Sequence, residues 1–127
     1  MKLDMVGIVT KNMDQSIKFY ETLGFKALGT PNDEYVELNN NGVRISLNTS
    51  KMLSGIYGYN PDNTGDKIEL AFLCDSPKEV DDLHDKIVKC GYESFKEPWD
   101  AFWGQRYAII KDIDGHLLSI FSNLPTK

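Results

Sequence analysis

The stretch Phe102–Phe121, FWGQRYAIIKDIDGHLLSIF, holds several residue types that take part in chemistry. Its middle carries Asp112, Asp114 and His116, and imidazole and carboxylate groups are common metal ligands. Its front carries an aromatic pair and Arg106, which are typical of a surface that binds a ligand. The stretch therefore has two interpretations, a metal-dependent active site or the wall of a binding pocket.

Aromatic side chains gather in the segment that contains the front of this stretch. Trp99, Phe102 and Trp103 lie in a loop between two predicted strands, and Tyr107 follows them. Aromatic rings on loops stack on planar or cationic ligands. Core and dimer packing is the alternative use of the same rings, so both uses of the Trp99–Trp103 group stay open.

The elements that must position these residues follow one order twice. Each half has a strand, then a helix, then three strands. In the first half the strands are predicted at 5–10, 25–30, 34–39 and 42–48, with a helix from the cap Asn12 to Gly24. In the second half the strands are predicted at 68–74, 92–99, 103–112 and 116–122, with a helix from the cap Ser76 to Gly91.

This repetition predicts two modules, residues 1–49 and 67–123, within a single domain of residues 1–127. Each module is small for independent folding, so we expect the two to share a core. Residues 50–66 are rich in Gly, Asn, Ser and Asp, a composition that predicts a linker.

Composition and charge exclude several classes of function. The net charge of −5, with only two arginines, argues against a nucleic-acid partner. Apolar runs of only a few residues exclude a membrane span, and the N-terminus lacks the pattern of a signal peptide. Cys74 and Cys90 belong to no metal or redox motif and are expected to be reduced thiols, which indicates a cytoplasmic protein.

Two segments carry a resemblance to a known family. DMVGIVTKNMDQSIKFYETLGF, residues 4–25, resembles the opening of the vicinal oxygen chelate superfamily, which contains glyoxalase I, bleomycin-resistance proteins and extradiol dioxygenases. WGQRYAIIKDIDGHLLSIF, residues 103–121, resembles its closing hairpin, in the form common in the antibiotic-resistance branch. The resemblance implies an α+β fold in which two βαβββ modules form a curved mixed sheet around a cleft. It also implies a homodimer whose subunits complete each other's sites.

The same resemblance identifies four positions that decide whether a metal binds. Metal-dependent members take one ligand from the first strand and one from the last strand of each module. The matching residues here are Met5 and Glu69 in the first strands, and Ser46 and Ser119 in the last strands. One carboxylate, one thioether and two hydroxyls are a poor donor set for Mn, Fe, Co or Zn. The expectation is therefore no metal at this place and no cofactor.

Glu69 and Arg106 each have two interpretations. If Glu69 faces an apolar cleft, it serves as a general base or as the counter-ion of a cationic ligand; otherwise it forms a salt bridge to Arg44 or Arg106. Arg106 anchors an acidic group of a ligand, or it pins the hairpin to a neighbouring acid.

Both histidines are predicted to have structural rather than chemical roles. On a strand where Ser119 faces the cleft, alternation sends His116 to the opposite side, which predicts an exterior histidine at the hairpin. His84 borders the apolar stripe of the second helix and is predicted to be partly exposed.

These inferences predict a metal-free protein of bleomycin-resistance type that sequesters a small molecule, either cationic or planar aromatic. Stacking is expected from Trp99, Phe102 and Trp103, polar anchoring from Glu69 and Arg106, and lining of the cleft from Tyr35 and Phe72. No catalytic residue is assigned. Two alternatives stay open: a glyoxalase-like lyase, isomerase or dioxygenase, and an interaction module without small-molecule function.

Overall fold

A computed structural model describes residues 3–61 and 69–125. Its contacts divide the chain into two compact units, Met1–Asn63 and Thr64–Lys127. Unit 1 contains β1 (Met5–Thr10), α1 (Met13–Thr22), β2 (Tyr35–Leu38), β3 (Arg44–Thr49) and α2 (Ser50–Tyr57). Unit 2 contains β4 (Leu70–Leu73), α3 (Pro77–Lys89), β5 (Ser94–Ala101), β6 (Gln105–Lys111) and β7 (Leu117–Asn123). Among the described residues, no helix is long and apolar enough to cross a membrane.

Helix α1 begins and ends at the residues that the sequence indicates. The side chain of Asn12 caps the start of the helix by accepting a hydrogen bond from the backbone N–H of Gln15. Just beyond the C-terminal end of the helix, Gly24 adopts a φ of 102°, a conformation that glycine adopts without steric cost. The helix buries Ile17 and Tyr20 on its apolar side, as an amphipathic helix does.

The sheet of unit 1 has the strand order β1-β3-β2, with β1 parallel and β2 antiparallel to β3. Its two faces differ in polarity because alternate residues point to opposite sides. One face is apolar and buried and includes Ile8, Val36, Leu38, Ile45 and Leu47. The other carries Met5, Tyr35, Glu37, Arg44, Ser46 and Asn48. We call the second one the tyrosine face of unit 1.

Two sequence predictions for unit 1 need correction. The strand predicted at 25–30 is reduced to a single bridge between Ala27 and Leu38, so this edge segment pairs with β2 only locally. The predicted linker at 50–66 begins with helix α2, which Thr49 caps through a hydrogen bond from the N–H of Met52. Leu53 is the buried residue of this helix, so tertiary burial helps to offset the cost of Gly55 within it. Residues 62–66 of the predicted linker lie outside the described residues.

Helix α3 starts at Ser76, whose side chain accepts a hydrogen bond from the N–H of Glu79, and Pro77 opens the first turn. The predicted cap and the predicted end near Gly91 are confirmed. The buried side of the helix consists of Val80, His84 and Ile87, whereas Cys90 is exposed.

The sheet of unit 2 has the strand order β4-β7-β6-β5, with β4 parallel to β7 and the other pairs antiparallel. Helix α3 packs against β5, β6 and β7. It covers the face that carries Ala108, Ile110, Leu118 and Ile120, all of them fully buried. The opposite face carries Ala71, Trp99, Tyr107, Ile109, Ser119 and Phe121. We call it the tyrosine face of unit 2.

The strand registers of the two units match, which supports the internal repeat read from the sequence. Ser46 lies opposite Gly7 on β1 and Glu37 on β2, whereas Ser119 lies opposite Ala71 on β4 and Ile109 on β6. The strand orders also correspond once the bridge at Ala27 takes the place of β5. The predicted α+β class built from paired modules is therefore confirmed.

Candidate ligand site on the tyrosine face

Tyr107 connects the acidic and the aromatic parts of the tyrosine face of unit 2. The register places it opposite Trp99 on β5 and opposite Phe121 on β7. Its hydroxyl donates a hydrogen bond to Oε1 of Glu69, with an oxygen–oxygen distance of 2.9 Å. The structure therefore brings Glu69, an exposed carboxylate ahead of β4, to the predicted aromatic group.

Five aromatic rings pack around this position, and we call them the aromatic cluster. The members are Trp99, Phe102, Trp103, Tyr107 and Phe121. The ring of Tyr107 meets Trp99 at 5.4 Å and Trp103 at 5.3 Å between centroids, both edge-to-face, and stacks on Phe121 at 6.0 Å. Such pairs contribute about 0.5–1.5 kcal/mol beyond the burial of their area. The cluster is therefore a mutually supported surface rather than separate exposed rings.

The outer rings of the cluster are open to solvent. The side chain of Phe102 is 96% exposed and that of Trp103 is 49% exposed. Trp103 is nevertheless held in place, because its indole N–H donates to Oε1 of Gln105 at 2.8 Å. Gln105 in turn donates to Oδ1 of Asn123 at 3.1 Å. An oriented ring with a large exposed area is suited to contact with a further molecule.

Lys96 lies on the same face as the aromatic cluster and covers one of its rings. Its ammonium nitrogen is 4.0 Å from the centroid of Trp99. Residues three apart on a regular strand point to opposite sides of the sheet. A β-bulge between Lys96 and Trp99 adds one residue, so both side chains point to the same face. Pro98 lies within this irregular segment, as expected for a residue that cannot donate to the ladder.

The electrostatics keep the Tyr107 hydroxyl protonated at neutral pH. Burial raises the pKa of Tyr107 above its ordinary value, and the hydrogen bond to the Glu69 carboxylate raises the pKa as well. A hydrogen bond with Ser119 acts in the opposite direction. The tyrosine is therefore a hydrogen-bond donor for the carboxylate, not a base.

Two predicted ligand contacts do not lie on this face. The guanidinium of Arg106 binds Asp81 of α3 at 2.8 Å and Asp100 of β5 at 3.1 Å, on the helix side of the sheet. This favours the second of its two interpretations, in which it pins the hairpin to neighbouring acids. Among the described residues, Arg106 forms no salt bridge with Glu69, which was one of the alternatives left open for that carboxylate. Phe72 lies in register with the buried Ile120, so alternation places it on the helix side too.

Unit 1 has a corresponding tyrosine with a different partner. Tyr35 is the register equivalent of Tyr107, since each stands two residues before the partner of the buried serine. Its hydroxyl donates to Oε2 of Glu37 at 3.0 Å and lies 3.3 Å from the sulfur of Met5. Burial and the Glu37 hydrogen bond raise the pKa of Tyr35. Arg44 binds Glu37 and, at 2.6 Å, Asp4, so its charge is already paired within unit 1.

The acidic hairpin Asp112–Gly115 is explained by its own turn. The Asp112 side chain accepts hydrogen bonds from the N–H groups of Asp114 and His116, each at 2.9 Å, and its second oxygen lies 2.7 Å from Nδ1 of His116. The donor atoms of Asp112, Asp114 and His116 lie within 4.8 Å of one another, but the carboxylate of Asp112 is used by the turn itself.

The prediction of a partly exposed His84 is wrong, whereas the exterior position of His116 stays a prediction. About a third of the His116 side chain is exposed (32%), and it is paired with Asp112. His84 is buried, and its Nε2 lies 2.7 Å from the hydroxyl of Ser94, which joins α3 to β5.

The two cysteines are free thiols, as predicted. Burial raises the pKa of Cys74 to about 11, so this thiol is a weak nucleophile at neutral pH.

Comparison with known proteins places this geometry in a family. Residues 2–120 match the model of the Glyoxalase/Bleomycin resistance protein/Dioxygenase superfamily. The chain belongs to this superfamily. The uncharacterized protein YraH of Bacillus subtilis is 29% identical over 98% of this chain and 100% of its own length.

Solved structures show the same superfamily fold. A glyoxalase-related enzyme from Fulvimarina pelagi superposes with a TM-score of 0.86 at 20% identity, covering 96% of this chain and 88% of its own. A glyoxalase/bleomycin resistance protein/dioxygenase family enzyme from Burkholderia phytofirmans gives a TM-score of 0.83 at 22% identity, covering 98% and 100%. At these identities the likeness extends to the fold and not to the reaction.

The residues at the superfamily's metal positions do not fit a divalent metal. Ser46 and Ser119 are buried hydroxyls, and Ser46 already accepts a hydrogen bond from Asn48 at 2.9 Å. Met5 offers a thioether, which suits soft ions rather than Mn, Fe, Co or Zn. Glu69 alone supplies a carboxylate, and its Oε1 accepts from Tyr107. This donor set supports no metal-dependent step.

Sequence reasoning missed Tyr107 and Lys96 as members of this candidate site. Tyr107 was visible as an aromatic residue, but its connecting role follows from strand register, which the sequence does not display. A usable signal was present in the repeat: in both units a tyrosine stands two residues before the partner of a last-strand serine. Lys96 had no such signal, because the β-bulge decides which way it points.

Proposed function

We propose that this protein binds a small organic molecule without a metal and sequesters it, in the manner of the bleomycin-resistance branch of its superfamily. The observation that carries the proposal is the aromatic cluster, in which the hydroxyl of Tyr107 donates a hydrogen bond to the Glu69 carboxylate. Aromatic faces attract planar and cationic groups, and a neighbouring carboxylate favours a positive charge. The expected ligand is therefore a cation, a planar aromatic compound, or a molecule that combines both.

The donor chemistry at the superfamily's metal positions also supports this proposal. A binding protein needs shape, apolar contact and a few polar anchors, all of which the cluster supplies. We also propose a homodimer as the working form, in line with the superfamily resemblance. Sedimentation at several protein concentrations tests this point, and a monomeric mass throughout would contradict it.

Ligand binding is tested with a thermal-melt and tryptophan-fluorescence screen of planar aromatic compounds and organic cations, with benzyltrimethylammonium as the reference cation. Both tryptophans, Trp99 and Trp103, belong to the cluster, so binding there changes the fluorescence directly. NMR of the bound compound then separates sequestration, in which it is recovered unchanged, from the alternative of a lyase or dioxygenase-type enzyme.

Glu69→Gln is the informative variant because the amide oxygen still accepts from Tyr107 while the charge is removed. We expect weaker binding of benzyltrimethylammonium by about two- to fivefold, with an unchanged melting temperature. Asp85→Asn is the matched control, since it removes an equal charge from the exposed surface of α3. Equal effects of the two variants would remove Glu69 from the site.

Metal content provides an independent check. Protein purified without chelator should contain no stoichiometric Mn, Fe, Co, Ni or Zn, and adding these ions should leave the melting temperature unchanged. A stoichiometric metal that is lost in Glu69→Gln would overturn the metal-free proposal.

A further inference from the structure

Lys96 differs from other lysines of the protein in what its charge contacts. Lys18, Lys78, Lys89 and Lys111 each lie within ion-pair distance of a carboxylate. Lys96 forms no such pair among the described residues, and its ammonium lies 4.0 Å from the centroid of the Trp99 ring. The protein's own cation thus occupies an aromatic face of the candidate site.

The backbone is arranged to produce this contact. Lys96 pairs with Ile109, and Trp99 pairs with Tyr107, so both point to the tyrosine face. Without the intervening β-bulge, two residues three apart would lie on opposite sides of the sheet. The irregular segment that contains Pro98 therefore brings the ammonium and the ring together.

We propose that Lys96 is a specificity-determining residue that occupies the cation-binding face of Trp99 until a ligand cation displaces it. The inference rests on the proposed function, because it concerns the same aromatic cluster. A ring that holds an ammonium at 4.0 Å attracts positive charge there, and an entering organic cation needs the same face. Lys96 opposes such a ligand in two ways, by covering the ring and by repelling the positive charge.

This arrangement makes the site selective. A weakly hydrated quaternary ammonium attached to an aromatic group gains additional contacts with the cluster and can displace the lysine. A small or strongly hydrated cation gains too little contact to do so. The substrate class that fits is therefore an aromatic compound carrying a quaternary or highly alkylated ammonium.

The test compares benzyltrimethylammonium with its uncharged isostere neopentylbenzene in the wild-type protein and in Lys96→Met, which keeps an apolar side chain of similar length. Exposed cation–π contacts are weak, so we expect benzyltrimethylammonium to bind about two- to fivefold more tightly to Lys96→Met, with neopentylbenzene little changed. Lys111→Met is the matched control: Lys111 lies 5.7 Å from the ring of Phe95 on the same sheet but does not touch Trp99. It should not reproduce the gain.

Three results would overturn the inference. Weaker binding of the cation to Lys96→Met would show that the lysine helps to hold the ligand. Equal gains in affinity for the cation in Lys96→Met and Lys111→Met would show that the effect comes from the loss of one positive charge anywhere on this sheet. Unchanged binding to Lys96→Met, with binding still dependent on Trp99 in Trp99→Leu, would contradict displacement while leaving the proposed function intact. If no compound of the screen binds to any of these proteins, the proposed function itself fails.

Discussion

Tyr107 organises its surroundings through two different kinds of contact. Its ring packs against Trp99, Trp103 and Phe121, and its hydroxyl donates to Glu69. A tyrosine hydroxyl is protonated at neutral pH, and burial raises the pKa of Tyr107 further, so the hydroxyl positions the carboxylate as a neutral donor. A single residue thus fixes the anionic group beside the rings that a cation would contact.

His116 leads to a prediction about stability and pH. Its hydrogen bond with Asp112 raises the pKa of His116 above the ordinary value of about 6.5. A raised pKa in the folded state stabilises the protein fully below the unfolded pKa, and this contribution is lost as the pH rises through the folded pKa. Urea unfolding should therefore show a decrease in the free energy of unfolding from about pH 6 upward.

The variant His116→Gln should lack this decrease. His84 and His116 are the two histidines of the chain, so NMR titration can assign the raised pKa to one ring. An identical pH dependence in the wild type and in His116→Gln would contradict the role of the Asp112–His116 pair.

At the scale of elements, the helix limits were the most predictable features because they are set by local chemistry. Asn12 and Ser76 act as caps through contacts within a single turn, and their types alone signal this. Helix α2 was missed because it is short, contains Gly55 and depends on burying Leu53, which is a tertiary event. The strand predicted at 25–30 failed for a similar reason: an apolar pattern does not reveal how far an edge segment follows its neighbour.

The ion pair between Arg106 of β6 and Asp81 of α3 gives a second prediction. Arg106 connects Asp81 on the helix to Asp100 on β5, and its own side chain is only 24% exposed. Since the pair with Asp81 is partly solvated, we expect a coupling energy of less than about 1 kcal/mol between Arg106→Met and Asp81→Asn in a double-mutant cycle of unfolding.

The same variants decide between the two interpretations of Arg106. If it only ties the hairpin to the helix, Arg106→Met should leave the affinity for benzyltrimethylammonium within about twofold of the wild type. A large loss of affinity without a loss of stability would instead restore Arg106 as a ligand contact.

Over the whole chain, the internal repeat predicts more about the fold than about the candidate site. The matched registers at Ser46 and Ser119 confirm which residues correspond in the two units. The units then diverge in what surrounds the equivalent tyrosines: unit 1 pairs Glu37 with Arg44, whereas the carboxylate of Glu69 in unit 2 is hydrogen-bonded by a neutral tyrosine. Such differences in partners arise from side-chain packing, and sequence alignment of the halves does not reveal them.

The net charge of −5 gives a prediction that belongs to the molecule as a whole. An acidic protein attracts cations over distances comparable to the Debye length, about 10 Å at 0.1 M salt, and added salt screens this attraction. Raising the NaCl concentration from about 0.02 M to about 0.5 M should therefore weaken binding of benzyltrimethylammonium by roughly two- to fivefold. Neopentylbenzene should bind equally well or slightly better at high salt, because salt strengthens apolar burial. Glu69→Gln should reduce the salt effect without abolishing it, since the remaining acids still contribute to the field. Equal salt dependence for the charged and the uncharged probe would show that electrostatic attraction has no part in recognition.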